Sequence, residues 1–198
     1  MIKEALAFLK GELNNYIDRK SSFDDIVNLA SIVDQQGNML LPVDTVGMTL
    51  VNVDEERIGK AQNPFVKLPN GKVTKKNPVI KLNLYVLFTS YAQITSNHEP
   101  NNYDQGLEQL SHIVTFFQGH SYFDPDAYPA LAGNGIDRLV VELYSLPIEQ
   151  LNYLWAAIGT KYMPSVLYKV RLVTIEDSEQ YGTGEPITTI SFPIETKH

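Results

Sequence analysis

Between Ile80 and Tyr91 the chain alternates with period two. Ile80, Leu82, Leu84, Val86 and Phe88 point one way, while Lys81, Asn83 and Tyr85 begin the other face. Leu87 makes the far end of that second face apolar as well. Strict alternation is the mark of a strand, and a strand apolar on both faces is covered on both sides. The segment therefore predicts a strand that is central at its C-terminal end, so the rest of the chain must supply layers for two faces.

The flanking segments supply them. Ile2, Leu6, Leu9, Leu13 and Tyr16/Ile17 recur at steps of three and four, which predicts an amphipathic helix with Lys3, Lys10, Glu12 and Asn14 off the stripe. Asp25–Val33 reads as a strand ended by the turn-rich run Asp34 to Asn38, and Val46–Val53 reads as a second strand. Asn101 or Asn102 can cap a helix whose stripe is Tyr103, Leu107, Leu110, Val114 and Phe117, widened by Ile113 and Phe116 and stopped at Gly119. A loop dense in turn formers follows from Asp124 to Gly135. Then come a strand at Leu139–Leu143, a helix from Pro147 to Gly159 with Ile148, Leu151, Leu154, Trp155 and Ile158 as its apolar face, and a strand at Val166–Ile175.

This irregular interleaving favours a mixed α/β or α+β single domain, one mixed sheet with helices packed on it, over residues 1–177. Residues 178–198 differ. Ser178–Gly184 is polar and reads as a flexible linker, and Ile187–Ile194 is a β-like arm carrying Pro193, with Pro186 just before it. In that arm Ile187 and Thr189 alternate with Ile190 and Phe192, so it could add as a strand to an exposed sheet edge.

Charge is segregated along the chain. Residues 57–81 hold Arg57, Lys60, Lys67, Lys72, Lys75, Lys76 and Lys81 and no acid, whereas residues 82–137 hold Glu99, Asp104, Glu108, Asp124, Asp126 and Asp137 and no base. The basic stretch contains Pro64, Pro69, Asn70-Gly71 and Pro78 and reads as a loop that could hold a small hairpin. Blocks of one sign often act in docking, here onto an acidic surface of a neighbouring subunit or another protein; a solvated loop is the plain alternative. The net charge of −7 argues against a general nucleic-acid binder. The N-terminus lacks the apolar core of a signal peptide, no run of about 18 apolar residues is present to span a membrane, and the absence of cysteine excludes disulfides and thiol chemistry.

Catalytic patterns fail on their own terms. Gly119-His120-Ser121-Tyr122-Phe123 begins like a nucleophile elbow, but Phe123 stands where a small residue is required and a helix precedes it. His98, His112, His120 and His198 fall in no metal-ligand spacing. Asp124-Pro125-Asp126 lacks the later positions of a calcium loop and reads as a capped turn. Neither Gly133-Asn134-Gly135 nor Gly182-Thr183-Gly184 sits in a phosphate-binding context. No catalytic, metal or cofactor site is expected.

Several segments are recognisable in order. They are Leu84-Tyr85-Val86-Leu87-Phe88 after Asn77-Pro78; Phe116-Phe117-Gln118-Gly119 followed by Phe123; Leu139 to Tyr144; Gln150-Leu151-Asn152 to Trp155; and Tyr162 to Arg171. With the N-terminal helix and Val51 to Arg57, they resemble the cap, or tail-terminator, proteins of extracellular contractile injection systems of the antifeeding-prophage and Photorhabdus-virulence-cassette kind. The resemblance covers roughly residues 1–177. It implies a structural, non-enzymatic subunit with a phage tail-terminator-like fold. That subunit would form a six-fold homo-oligomeric ring at the baseplate-distal end, stop growth of inner tube and sheath, and hold the last sheath layer. The implied partners are the chain itself, the sheath protein and the inner tube protein, without membrane contact or specific nucleic acid, assembled in the cytoplasm into a contractile particle. Two alternatives remain: a tail-completion protein of a non-contractile phage tail, and a small ligand-binding or hydrolase domain with a site in the 120–136 loop.

Overall fold

The computed structural model describes residues 1–56, 65–67, 73–75, 81–92, 102–174 and 181–184. The elements run α1 (Ile2–Lys20), β1 (Val27–Leu29), β2 (Thr45–Glu55), β3 (Phe65–Lys67), β4 (Val73–Lys75), β5 (Lys81–Tyr91), α2 (Asn102–Gly119), β6 (Tyr122–Phe123), α3 (Ala130–Gly133), β7 (Ile136–Leu143), α4 (Ile148–Ile158), β8 (Ser165–Thr174) and β9 (Tyr181–Gly184). They divide into two compact units, Met1–Glu56 with Lys81–Ile175, and Arg57–Ile80 with Glu176–His198.

The larger unit is built on a six-stranded sheet of order β1-β2-β5-β8-β7-β6. Only β1 and β2 run parallel; the remaining neighbours are antiparallel. β5 lies inside the sheet between β2 and β8, as its two-faced pattern requires. Leu84, Val86 and Phe88 enter the core under α1 and α2, while Leu87 enters a second cluster with Ile32, Leu41, Leu167 and Trp155 of α4. The unit is thus a mixed α+β fold with helices on both sheet faces.

Within this frame some expectations are corrected. Asn14 is buried rather than off the stripe. The first strand is three residues long, not nine. Asp25 has φ 43° and cannot extend the strand, and beyond Leu29 the chain turns so that Ile32 plugs the α4 side. The expected turn is present: the Asp34 carboxylate accepts the N–H groups of Gln36 and Asn38, each at 2.8 Å, closing the Val33–Met39 bridge. On α2 the core face is Gly106, Gln109, Leu110, Ile113, Phe116 and Phe117, leaving Tyr103 and Leu107 outside. The cause is Gly106, where a Cβ would lie 2.3 Å from Ser90 Oγ, so the helix lies close on β5 at that point. The 120–136 stretch holds β6 and α3, pinned by buried Phe123 and Leu131, and is not loop throughout.

The smaller unit contains a three-stranded sheet of order β3-β4-β9. β3 and β4 are an antiparallel hairpin, with Phe65 opposite Lys75 and Lys67 opposite Val73. β9 pairs antiparallel with β4, placing Gly184 opposite Val73 and Tyr181 opposite Lys75. Residues 181–184, expected as flexible linker, are therefore a strand. Its partner comes from the basic connector more than a hundred residues earlier, a long-range pairing with no local signature.

Candidate functional site

The residues singled out from sequence do not converge on one place. Arg57, Lys60, Lys72, Lys76, Ile187, Thr189, Ile190 and Phe192 lie outside the described residues. Lys67 ends β3 and Lys75 ends β4, so the basic stretch is carried in part on a hairpin. Asp124 is committed to a turn, its carboxylate accepting Ala127 N–H at 3.0 Å and its carbonyl accepting Tyr128 N–H at 2.8 Å. Asp126 is exposed beside it. In the acidic block Asp137 is neutralised by Arg138 at 2.8 Å, a contact that also raises the Arg138 pKa. Asp104 and Glu108 remain on the outer face of α2.

The 119–123 segment is a helix end followed by a short strand. His120 stacks on Phe116 with ring centroids 4.8 Å apart, and its Nδ1 lies 3.1 Å from the Phe116 carbonyl. Ser121 contributes its carbonyl to Val141 N–H at 2.8 Å. Among the described residues no group of three His, Asp or Glu side chains could hold a metal, and no helix is long and apolar enough to cross a membrane.

What the structure adds is an apolar surface around α4 in the larger unit. Pro147 precedes the helix with ψ 152°, and Gly159 closes it in the left-handed region with φ 84°, a conformation that favours glycine. Trp155 is the anchor: it is buried against Leu87 and Leu167, with its ring edge-on to Tyr162 at 5.8 Å. Leu151, Leu154 and Ile158 pack half-buried against the same cluster, while the outer side of the helix is exposed. Ile148 is 73% exposed, and Leu143 just before the helix is 58% exposed. Tyr144 is also exposed and packs edge-on against Tyr85 at 5.1 Å, where burial raises the Tyr85 pKa.

At the other end of α4 lies an open cleft of about 950 Å³ lined by Tyr91, Tyr103, Ala156, Tyr162, Met163 and Pro164, among others. A shallower groove of about 600 Å³ continues along α2 past Leu107 and Val114 to Val166. Both lie away from the 120–136 stretch. Exposed apolar side chains gathered beside an apolar cleft mark a contact surface. Of the apolar face expected for α4, Leu151, Leu154, Trp155 and Ile158 meet the core and Ile148 stays exposed, a difference that helical periodicity does not carry.

The family model described as the Pvc16 N-terminal domain matches residues 4–189. No curated protein sequence matches the chain. Among solved structures, the PVC sheath/tube terminator of an extracellular contractile injection system, seen by cryo-EM in its extended state, is similar at TM-score 0.53 and 16% identity. The similarity covers all of this chain and 64% of that one, so the chain spans less than two thirds of that terminator. The anti-feeding prophage tube-terminating cap is also found, at TM-score 0.41 and 14% identity over 92% of this chain and 60% of the cap. With a family model spanning nearly its whole length, the chain belongs to the Pvc16 N-terminal domain family.

Proposed function

We propose that the chain is a structural terminator of a contractile, phage-tail-like injection system. In this reading copies form a ring at the end far from the baseplate, stop the growth of inner tube and sheath, and hold the last sheath layer. The observation that carries the reading is that the fold is similar to that of a sheath/tube terminator, at TM-score 0.53.

The surfaces are compatible with that role. A ring requires a heterologous contact whose rotation closes. Apolar contacts supply affinity, and charge sets register and encounter rate. The apolar material is the α4 surface. The charge is the segregated basic stretch 57–81, meeting the outward acids Asp104, Glu108, Asp124 and Asp126 of the next copy. At the edges of the six-stranded sheet, β1 pairs with β2 over Val46–Met48 and is capped at Val27 by a side chain from α1, and β6 pairs with β7 over Leu139 and Val140. The arm after β9 is the segment proposed to hold the sheath, by adding a strand to a sheath edge.

No step of turnover is required, and the clefts described lie elsewhere than the 120–136 stretch, so a hydrolase site there has no support. The test is particle morphology. Particles produced without this chain should show tubes and sheaths of ragged, extended length. Particles of normal, uniform length in its absence would contradict the reading.

A further inference from the structure

We draw no further inference here: the strongest candidate, the outer face of α4 with its exposed Ile148 and Tyr153, carries nothing, because nothing in the structure shows what covers it.

Discussion

The side chain of Asn14 in α1 takes the place of a missing strand beside Val27 in β1. Val27 N–H donates to Asn14 Oδ1 at 2.9 Å, and Asn14 Nδ2 donates to the Val27 carbonyl at 3.2 Å. Just before the strand, on its inner side, the Ile26 carbonyl accepts from Val46 N–H at 3.0 Å. Ile26 thus bonds to β2 and Val27 to α1, and the edge strand offers no free ladder at its most buried residue. Both groups of Val27 are fully buried, so neither can turn to water.

Replacing Asn14 by Leu, close to it in volume, should therefore cost about 2–3 kcal/mol through two buried backbone groups left without partners. Urea unfolding of the variant should show the loss as a lower midpoint at unchanged slope. A midpoint equal to the parent's would mean that the amide does not hold the edge.

Gly106 and Ser90 form a second coupled pair. An alanine at 106 gains about 1 kcal/mol of helix propensity but places its Cβ on Ser90 Oγ. Gly106→Ala alone should destabilise by about 1–2 kcal/mol. In a Ser90→Ala background the same change should become neutral or stabilising. A double-mutant cycle by urea denaturation should give a coupling of about 1 kcal/mol or more, and simple additivity would contradict the close approach.

Tyr168 supplies a pH dependence. It packs against Phe117 at 4.7 Å and Phe88 at 5.8 Å, is 3% exposed, and burial pushes its pKa up to about 12. The unfolded chain ionises this phenol near its ordinary 10, the folded chain only near 12, so the unfolded form is favoured as pH rises between the two. The stability is complete below pH 10 and falls by an amount on the order of 2 kcal/mol as pH rises towards 12. Burial also raises Tyr85 and Tyr128, in the same sense. Unfolding measured across this window should be less steep for Tyr168→Phe than for the parent. Equal slopes would assign the alkaline loss to other groups.

The legibility of these features in sequence differs for physical reasons. The position of β5 could be read because burial on both faces leaves both alternating sets apolar. The α1 stripe could be read, but Asn14 could not. Its role depends on which strand lies at the sheet edge, and helical periodicity carries no such information. On α2 the period was right and the phase wrong, because Gly106 lets the helix approach β5 and rotates Tyr103 and Leu107 outward. β9 escaped notice because Tyr-Gly-Thr-Gly is a poor strand former alone and is held by pairing with β4. On α4 the core face of Leu151, Leu154, Trp155 and Ile158 was legible but the exposure of Ile148 was not, since periodicity does not say how far along a stripe the core reaches. The basic stretch was legible as a charge block and as a hairpin, its docking role only as an expectation.

β9 ends at Gly184, ahead of the stretch expected from sequence to be an arm. Deleting 185–198 keeps β9 and should release sheath from otherwise complete particles, whereas deleting 178–198 also removes the strand that pairs with β4. Lys72, Lys75 and Lys76 changed together to Glu should weaken ring assembly at low salt, with the fold retained by circular dichroism. Retained sheath, or assembly unchanged at low and moderate salt, would remove these segments from the account.

The central claim is that this chain acts by occupying the end of a growing cylinder. The most direct measurement adds purified chain to baseplate-nucleated tubes supplied with excess tube protein and follows their length by electron microscopy. Growth should stop at substoichiometric amounts of the chain, with labelled copies found only at the baseplate-distal tip. Tubes that lengthen at the same rate with or without it, or label scattered along their sides, would contradict the account.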